Sequence, residues 1–233
     1  MARAADHRRL YDTTGYIFSD EKLLKTALTH SSYASEHRLG YDMNNERLEF
    51  IGNAFVDAVL GTELFSLMKD AHEGMLSRCR ADVVCEDTLA DAASDMGLGS
   101  YLYLGRGEEA NGGRRKPSIL ADAFEALMGA IILDGGYEAC RDVILRLLGD
   151  RIVLASEGKL NKDYKTKLQE ILQEKDKNVK IAYEITDQSG PDHSKTFTML
   201  VTMNGRVLGT GSGRSKARAE QAAAEDALTK GEY

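Results

Sequence analysis

The stretch Glu46-Arg47-Leu48-Glu49-Phe50-Ile51-Gly52-Asn53 decides how the first half of the chain folds. Its apolar residues recur at helical spacing, and Glu46, Glu49 and Asn53 fall at i, i+3 and i+7, so they share one face of the predicted helix. Acids that border the buried side of a helix are costly unless a partner compensates their charge. The pattern therefore predicts a helix with a functional acidic face.

A second acidic pair, Asp122 and Glu125, lies at i, i+3 in another apolar helical stretch. Together the two motifs can gather four carboxylates into one site. A divalent cation held by oxygen ligands alone would compensate them, and such ligands favour magnesium or manganese over zinc. The alternative interpretation is that these residues are solvated helix acids, which is the usual state of an isolated glutamate.

Further motifs occur in order along residues 10–150 and resemble those of the ribonuclease III family. The signature of that family is similar to residues 45–53. The other matching stretches are Leu28–Tyr33, Glu73–Ser77 with Arg80-Ala81, Leu104–Glu109, Gly112–Arg114 and Ser118–Asp122. An ordered series of this kind is more specific than any single short motif.

The composition is compatible with a two-domain globular protein. At 233 residues the chain has room for one large and one small domain, each able to bury a core. No stretch approaches the roughly eighteen consecutive apolar residues of a membrane span, and residues 1–10 lack the apolar segment of a signal peptide. Widely spaced Cys79, Cys85 and Cys140 predict neither a disulfide framework nor a zinc site. We expect a soluble, cytoplasmic protein with no membrane partner.

Charge is distributed unevenly between the two halves of the chain. The net charge is −7, which at first argues against a nucleic-acid partner. Residues 161–233 carry 12 Lys and Arg against 11 Asp and Glu, a net charge of +1, so the acidity belongs to residues 1–160. Residues 206–219 contain four Lys or Arg and no acid. Because local charge decides binding more than the total does, a nucleic-acid surface in the second part is compatible with the composition.

Residues 1–154 have helical patterns throughout, which predicts an all-α domain, and the resemblance implies that this is the endonuclease and dimerisation domain. Helical apolar spacing covers residues 20–36, 45–70, 74–96, 117–133 and 136–154. The stretch 105–116, rich in Gly, Arg and Glu, is predicted to be a loop. A change in composition marks residues 155–162 as a linker to a second domain, residues 163–233.

The second domain is predicted to be a small α+β fold with the order α-β-β-β-α. A helix over residues 163–174 is followed by apolar alternation at Ile181–Ile185 and Phe197–Met203, which is the strand period. Asn204-Gly205 predicts a hairpin with a type I′ turn, and a final helix runs from Ser215 to about residue 230. This order, together with residues 190–193, 209–213 and 219–225, resembles the double-stranded RNA-binding domain.

The N-terminus of the last predicted helix has the composition of a phosphate-binding site. Ser215 is the predicted N-cap, and Arg214, Lys216 and Arg218 crowd a helix end whose dipole is already positive. Stability alone would place acids there, whereas cations beside free backbone N–H groups bind phosphate. The alternative is a basic turn that only improves solubility. Ala217 departs from the domain's usual second basic residue, so Arg214 or Arg218 would have to replace it.

The resemblance implies two further RNA-contact regions in this domain, which is known to span two minor grooves of an A-form duplex. The first lies on the first helix and the second on the loop after the first strand. The residues so assigned are Thr166, Gln169 and Glu170 on the helix, and Gly190, Pro191 and His193 in the loop.

The ribonuclease III resemblance implies a magnesium-dependent endoribonuclease, with manganese able to replace magnesium. It would hydrolyse both strands of double-stranded RNA and leave short 3′ overhangs, in the processing of ribosomal and messenger RNA. Glu49, Asp122 and Glu125 would hold the metal. The resemblance gives catalytic roles to Glu125, to the residue at position 53, and to the supporting acids Glu46 and Glu73.

Position 53 departs from the family pattern, because Asn53 occupies a slot that normally holds aspartate. A neutral amide keeps the shape of the side chain but cannot act as a base and removes charge that would help hold magnesium. We therefore expect an enzyme with a weakened metal site and impaired catalysis. A structural role is expected for His30, since no carboxylate at a suitable spacing would orient it for nucleophilic catalysis.

One acidic cluster cuts one strand, so cleaving both strands requires two clusters related by symmetry. The resemblance implies a twofold homodimer, which is the commonest oligomer symmetry. The alternative function is a double-stranded RNA-binding dimer that does not cut its ligand, and Asn53 is its best support. Retention of Glu46, Glu49, Asp122 and Glu125 argues against that alternative.

Overall fold

The computed structural model of the chain describes residues 7–160, 164–189, 196–213, 215–231 and 233. The chain divides into two compact units, residues 1–160 and residues 161–233. Each unit has its own hydrophobic core, one built from residues between Leu10 and Ala155 and the other from residues between Leu168 and Ala227.

The first unit is all-α, as predicted. Two short 3-10 turns, Leu98–Tyr101 and Gly113–Arg115, lie among its helices. The helices are α1 (Arg8–Thr14), α2 (Glu21–Ala27), α3 (Ser31–Glu36), α4 (Glu46–Leu67), α5 (Glu73–Val84), α6 (Glu86–Asp95), α7 (Arg106–Ala110) and α8 (Pro117–Ser156).

Two predicted helices are each divided in the structure. The helix expected over residues 20–36 breaks after α2, because Thr29 forms a parallel bridge to Tyr103 and the side chain of His30 caps α3. The helix expected over residues 74–96 breaks at Cys85, whose backbone is extended and separates α5 from α6. Both breaks occur at residues that sequence periodicity does not mark.

The predicted loop over residues 105–116 contains a short helix, α7, and a 3-10 turn. The side chain of Glu36 fixes the start of α7 by accepting from the Arg106 N–H at 2.7 Å. At the end of the unit, α8 extends to Ser156, two residues into the predicted linker, and its helical geometry is interrupted at Gly136, which has φ of 80°. This interruption separates the two helices that the sequence predicts on either side of residues 134–135.

The centre of the first unit is the crossing of α4 and α8. A Cβ added at Gly52 would lie 1.8 Å from the carbonyl oxygen of Glu125, and one added at Gly129 would lie 2.0 Å from that of Leu48. The two backbones therefore touch, which is possible only because neither residue has a side chain. This contact fixes the distance between the acidic motifs of α4 and α8.

By length and apolar content alone, α4 is long enough to cross a membrane. Its sequence nevertheless includes Glu46, Arg47, Glu49, Asp57 and Glu63. Ionised side chains are costly in the hydrocarbon layer. The buried side of α4, including Val56, packs in the core of the first unit.

The second unit has the predicted α-β-β-β-α order. It contains α9 (Tyr164–Lys175), β1 (Ile181–Ser189), β2 (Thr196–Met203), β3 (Arg206–Gly213) and α10 (Lys216–Lys230). The strands form one antiparallel sheet in the order β1-β2-β3. Asn204 and Gly205 have φ of 50° and 84°, which confirms the predicted hairpin turn between β2 and β3.

Helix α10 packs closely on β3 through small residues. A Cβ added at Gly211 would lie 2.2 Å from the backbone nitrogen of Ala223, and one at Gly209 would lie 2.5 Å from that of Ala227. This close packing sets the position of the N-terminus of α10. The predicted N-cap is confirmed, since the Ser215 hydroxyl accepts from the Arg218 N–H at 3.2 Å.

Candidate metal and RNA site

The start of α4 is held in place by buried asparagines. Asn44 accepts from the Glu46 N–H through its side-chain oxygen at 3.1 Å, and the N–H of Asn45 donates to the Thr29 carbonyl at 2.9 Å. Both asparagines are buried. The first turn of α4, with Glu46 and Glu49, is therefore fixed relative to the segment before α3.

Three carboxylates meet where α4 crosses α8. Oxygen atoms of Glu49, Asp122 and Glu125 all lie within 4.8 Å of one another. Glu125 is only 8% exposed, while the other two are half-buried. We refer to these residues as the carboxylate cluster. The structure thus brings together the three residues that the sequence predicts as metal ligands.

Burial perturbs the ionisation of the whole cluster. It raises the pKa of Glu125 to about 7, with smaller increases from the charges of Glu49, Asp122 and Asp57 and a decrease from the hydrogen bond of Asn53. Burial, followed by the charges of Asp122 and Glu46, also raises the pKa of Glu49. The cluster therefore resists full ionisation as long as no cation neutralises it.

Asn53 lies beside the cluster on the exposed side of α4. Its side-chain nitrogen donates to Oε1 of Glu125 at 2.8 Å. An aspartate at this position has no such donor when ionised and would add a negative charge. Asn53 therefore orients the Glu125 carboxylate without contributing charge to the cluster.

The two predicted supporting acids occupy different surroundings. Glu46 is exposed, accepts from the Asn44 side-chain nitrogen at 3.3 Å and lies near enough to raise the pKa of Glu49. Glu73, in the first turn of α5, accepts from the Ser77 hydroxyl at 2.7 Å. Among the described residues, no hydrogen bond or ion pair joins Glu73 to the carboxylate cluster.

His30 has the structural contacts that the sequence led us to expect. Its Nδ1 lies 2.8 Å from the Ser32 hydroxyl and 3.2 Å from the Ser32 backbone nitrogen, so it caps α3. His30 also lies near the cluster. Burial and the charge of Glu86 raise the pKa of Asp122, whereas the charge of His30 lowers it.

Two residues beside the cluster, Asp57 and Glu86, were not predicted from the sequence. Asp57 adds to the raised pKa of Glu125, and Glu86 to that of Asp122. The position of Asp57 carried a signal, because it lies four residues after Asn53 and continues the acidic face of α4. The position of Glu86 gave no such signal in the sequence, since Glu86 belongs to a separate helix.

The predicted RNA-binding residues that the structure describes occupy the ends and faces of two helices. Thr166, Gln169 and Glu170 are exposed on α9, while Leu168 and Leu172 anchor the opposite side of that helix. At the start of α10, Lys216 is exposed, and Ser215 and Arg218 are half-buried. Gly190, Pro191, His193 and Arg214 lie outside the described residues.

Helices α9 and α10 are tied together near these positions. Lys165 pairs with Glu220 at 2.6 Å, and its ammonium lies 4.8 Å from the centre of the Tyr183 ring. The side-chain oxygen of Gln221 accepts from the Lys165 N–H at 3.1 Å. The unit therefore presents α9 and the N-terminus of α10 in a fixed relation.

The chemistry of the carboxylate cluster suits a metal ion. All of its donors are carboxylate oxygens, which prefer hard divalent cations. A bound cation would also favour the ionised forms of the three acids, whose pKa values are raised by burial and by neighbouring charges. The cluster can therefore hold a metal ion.

Comparison with known proteins agrees with the two units. Residues 20–152 match the family described as ribonuclease-III-like, and residues 164–230 match the double-stranded RNA binding motif. The chain is 48% identical over 220 residues to Ribonuclease 3 of Desulforamulus reducens, covering 94% of this chain and 89% of that protein. It is 49% identical over 215 residues to Ribonuclease 3 of Caldanaerobacter subterraneus, covering 92% and 93%.

A solved structure resembles the first unit. The nuclease domain of ribonuclease III from Campylobacter jejuni is 41% identical, with a TM-score of 0.58, and the match covers 63% of this chain and 98% of that domain. A helical unit with a carboxylate cluster, joined to a unit of double-stranded RNA-binding type, defines a two-domain RNA nuclease architecture. Within that class, the chain belongs to the ribonuclease III family.

Proposed function

We propose that the chain is a double-strand-specific endoribonuclease whose catalysis is impaired at position 53. The observation that carries this proposal is the convergence of Glu49, Asp122 and Glu125 within 4.8 Å in a chain that also has a double-stranded RNA binding motif. The relatives named Ribonuclease 3 support the same reaction class. The bond broken is an RNA phosphodiester, and water is the second reactant.

We propose that Glu49, Asp122 and Glu125 hold magnesium, for which manganese can substitute. When bound, the ion supplies Lewis acidity to the phosphodiester and lowers the pKa of a water molecule. The chain's own contribution is to hold three carboxylates close together before the ion binds. The Gly52–Glu125 and Gly129–Leu48 backbone contacts provide this preorganisation.

Asn53 has a mixed effect in this proposal. Its hydrogen bond keeps the Glu125 carboxylate oriented, but the amide supplies neither the negative charge nor the basic oxygen of an aspartate. Weaker retention of the cation and slower hydrolysis are therefore expected. Glu46 and Glu73 are proposed as supporting acids, with Glu46 acting on the carboxylate cluster through Glu49.

The second unit is proposed to hold the duplex. Thr166, Gln169 and Glu170 face solvent on one side of α9, where they can reach 2′-hydroxyl groups in a minor groove. Lys216 at the N-terminus of α10 is proposed to bind phosphate, helped by Arg218 and by the backbone N–H groups of the first turn. The loop residues Gly190, Pro191 and His193, and Arg214, are proposed to complete this surface.

We propose that the active form is a homodimer, because two carboxylate clusters are needed to cut both strands. The first unit has an apolar surface suited to a second copy: Phe50 on α4 is 82% exposed and lines one side of a groove that is also lined in part by Leu23, Ile51 and Leu133. A twofold contact uses the same patch on both copies, so a protruding ring next to its own groove is self-complementary. The nuclease domain of the Campylobacter jejuni enzyme is itself described as having structural flexibility in a region involved in dimer formation.

A cytoplasmic location and a role in processing ribosomal and messenger RNA complete the proposal. Cys79, Cys85 and Cys140 are free thiols, which is usual in a reducing compartment.

The experiment that tests the function compares this chain with its Asn53→Asp variant on a labelled RNA duplex. Cleavage is measured in magnesium and in manganese, and duplex binding is measured for both proteins at one fixed salt concentration. We expect equal binding and cleavage that is on the order of 100-fold faster in the variant. Adding Glu125→Gln to the variant should remove the gained cleavage, because that substitution replaces a ligand with an amide.

The second candidate function is a binding dimer that does not cut its ligand, and the amide of Asn53 is the observation that favours it. In that case both proteins bind the duplex and neither cuts it with either metal ion. Absence of duplex binding would contradict both functions.

A further inference from the structure

An ion pair between Asp57 and Arg80 connects α4 to α5 beside the carboxylate cluster. Nε of Arg80 lies 3.5 Å from Oδ1 of Asp57, and the two side chains are 44% and 42% exposed. The same Oδ1 atom is buried and accepts no hydrogen bond. The two side chains therefore form an ion pair at the protein surface, without a hydrogen bond from the described residues to this oxygen.

The position of Asp57 places this ion pair next to the reacting groups. Asp57 follows Asn53 by one helical turn, so both side chains leave the same face of α4. Burial is the main cause of the raised pKa of Glu125, and the charge of Asp57 contributes to it, as expected for a carboxylate in the neighbourhood of the carboxylate cluster. Arg80 thus brings a permanent cation to a region dominated by acids.

Most donors of the Arg80 guanidinium remain available. Among the described residues, Asp57 is its only ionic partner, and the contact uses Nε. The terminal nitrogens make no hydrogen bond within the described part of the chain. A planar guanidinium held at one edge presents its other edge as a fork that matches two phosphate oxygens.

We propose that Arg80 binds a phosphate of the RNA backbone next to the phosphate that is cleaved, and that Asp57 is the positioning residue that aims it. The inference rests on the proposed function, since it concerns the same duplex at the same site. The acids around the cluster repel the backbone of any RNA that approaches it. A cation oriented beside them offsets that repulsion and fixes the register of the strand.

A merely structural role for Arg80 makes a different prediction. If Arg80 only links α4 to α5, its removal would change the stability of the first unit but not the number of phosphates that the protein neutralises. The salt dependence of duplex binding separates the two roles, because its slope counts the phosphate contacts.

The test measures the affinity for an RNA duplex at several salt concentrations for the chain as it stands and for Arg80→Gln. The plot of log K against log salt should become shallower by about one for Arg80→Gln and keep its slope for Arg80→Lys. Asp57→Asn should reduce the slope by less than Arg80→Gln does, because the Arg80 cation remains but is no longer held in position by its ion pair.

Arg141→Gln is the matched control. Arg141 pairs with Glu63 of the same helix α4 at 3.4 Å, with side-chain exposures of 37% and 36%, and with its own neighbour Asp142 at 3.7 Å. Arg141→Gln therefore removes a similarly exposed, ion-paired arginine from another part of α4. An equal change of slope in Arg141→Gln would reduce the effect to total charge and overturn the proposal.

Chemical modification of the RNA makes the test independent of how the variant folds. After the Asn53→Asp variant has shown where the duplex is cut, single methylphosphonates replace the phosphates flanking that bond. One such neutral linkage should weaken binding of the unmodified chain and leave Arg80→Gln unaffected. If every linkage weakens both proteins equally, Arg80 does not contact phosphate, while normal duplex binding would leave the proposed function intact. Loss of all duplex binding by the unmodified chain would instead contradict the function itself.

Discussion

The crossing of α4 on α8 and the packing of α10 on β3 use the same device for opposite purposes. In both, glycines let backbones touch, at Gly52 and Gly129 in the first unit and at Gly209 and Gly211 in the second. The first contact draws carboxylates together in a partly buried place. The second presents the cation Lys216 at an exposed helix end.

The two contacts differ in the electrostatic cost of holding their charged side chains in place. Burial, together with the neighbouring negative charges, raises the pKa values of Glu49, Asp122 and Glu125 at the crossing. Solvent screens the cation at α10, so its placement costs little. A ligand of opposite charge should therefore stabilise the crossing of α4 and α8 more than it stabilises the start of α10.

The largest expected effect comes from adding a side chain where the backbones of α4 and α8 touch. Gly52→Ala places a Cβ 1.8 Å from the Glu125 carbonyl oxygen, so α4 and α8 must separate. We expect a loss of about 3 kcal/mol or more in the free energy of unfolding, measured by urea denaturation. In the Asn53→Asp background, cleavage should be lost as well.

Gly61→Ala on the same helix is the control for Gly52→Ala. A Cβ there meets nothing within 4 Å, so the substitution should stabilise the first unit by about 0.5–1 kcal/mol through higher helix propensity. Equal destabilisation at both positions would show that the close crossing is not the cause.

The corresponding change in the second unit is Gly211→Ala, whose Cβ would lie 2.2 Å from the backbone nitrogen of Ala223. We expect α10 to shift and the free energy of unfolding of the second unit to fall by about 2 kcal/mol. Duplex affinity should fall as well, while the first unit keeps its own stability. Amide hydrogen exchange, followed separately in each unit, measures the two stabilities. Ser212→Ala, at an exposed neighbouring position, removes only the exposed hydrogen bond between the Ser212 and Thr198 hydroxyls and should have a clearly smaller effect, and a similar loss there would refute the packing explanation.

Acid titration tests the energetic difference between the two regions. The pKa of Glu125 is raised from 4.5 to about 7 in the folded state, so the folded chain retains a proton that the unfolded chain releases between these values. The contribution of Glu125 to stability is therefore present at low pH and is lost as the pH rises toward 7. Without divalent cations, the chain should lose more stability between about pH 5 and about pH 8 than Glu125→Gln does, since only Glu49 and Asp122 of the carboxylate cluster keep raised pKa values in that variant.

Magnesium should reverse that loss. The proposed role of Glu125 as a ligand requires its ionised form, so below its pKa the apparent magnesium affinity should rise about tenfold per pH unit. Isothermal titration calorimetry at several pH values measures this slope. A flat profile would mean that Glu125 is not a ligand.

The smallest expected effect is at the start of α10. Ser215→Ala removes the hydroxyl that accepts from the Arg218 N–H and should cost about 1 kcal/mol in the second unit. Ser215→Asp keeps a cap and should restore that stability, although its negative charge should weaken duplex binding at low salt. Full restoration of binding by Ser215→Asp would argue against phosphate binding at this helix end.

Much of the architecture was predictable because it rests on local rules. The helical spacing of Glu46, Glu49 and Asn53, the turn residues Asn204-Gly205 and the cap Ser215 each depend on a few neighbouring residues. The convergence of Glu49, Asp122 and Glu125 followed from the ordered family motifs. The structure adds the backbone contact at Gly52 that brings them within reach.

Features that depend on distant partners could not be predicted. The break after α2 requires Tyr103, from more than seventy residues later in the chain, to bridge Thr29. Glu86 approaches Asp122 from another helix, and the hydrogen bond from Asn53 to Glu125 joins α4 to α8. Sequence periodicity describes one segment at a time and contains no information about such contacts.

The amide of Asn53 has a practical consequence for biochemistry on this protein. Hydrolytic deamidation of the exposed Asn53 amide releases ammonia and leaves a carboxylate, which is the group that we propose for full activity at this position. A small deamidated fraction in an aged preparation would then account for most of the cleavage observed. Peptide mass spectrometry across residues 46–57 should accompany any claim of residual activity, so that turnover is assigned to the correct molecular species.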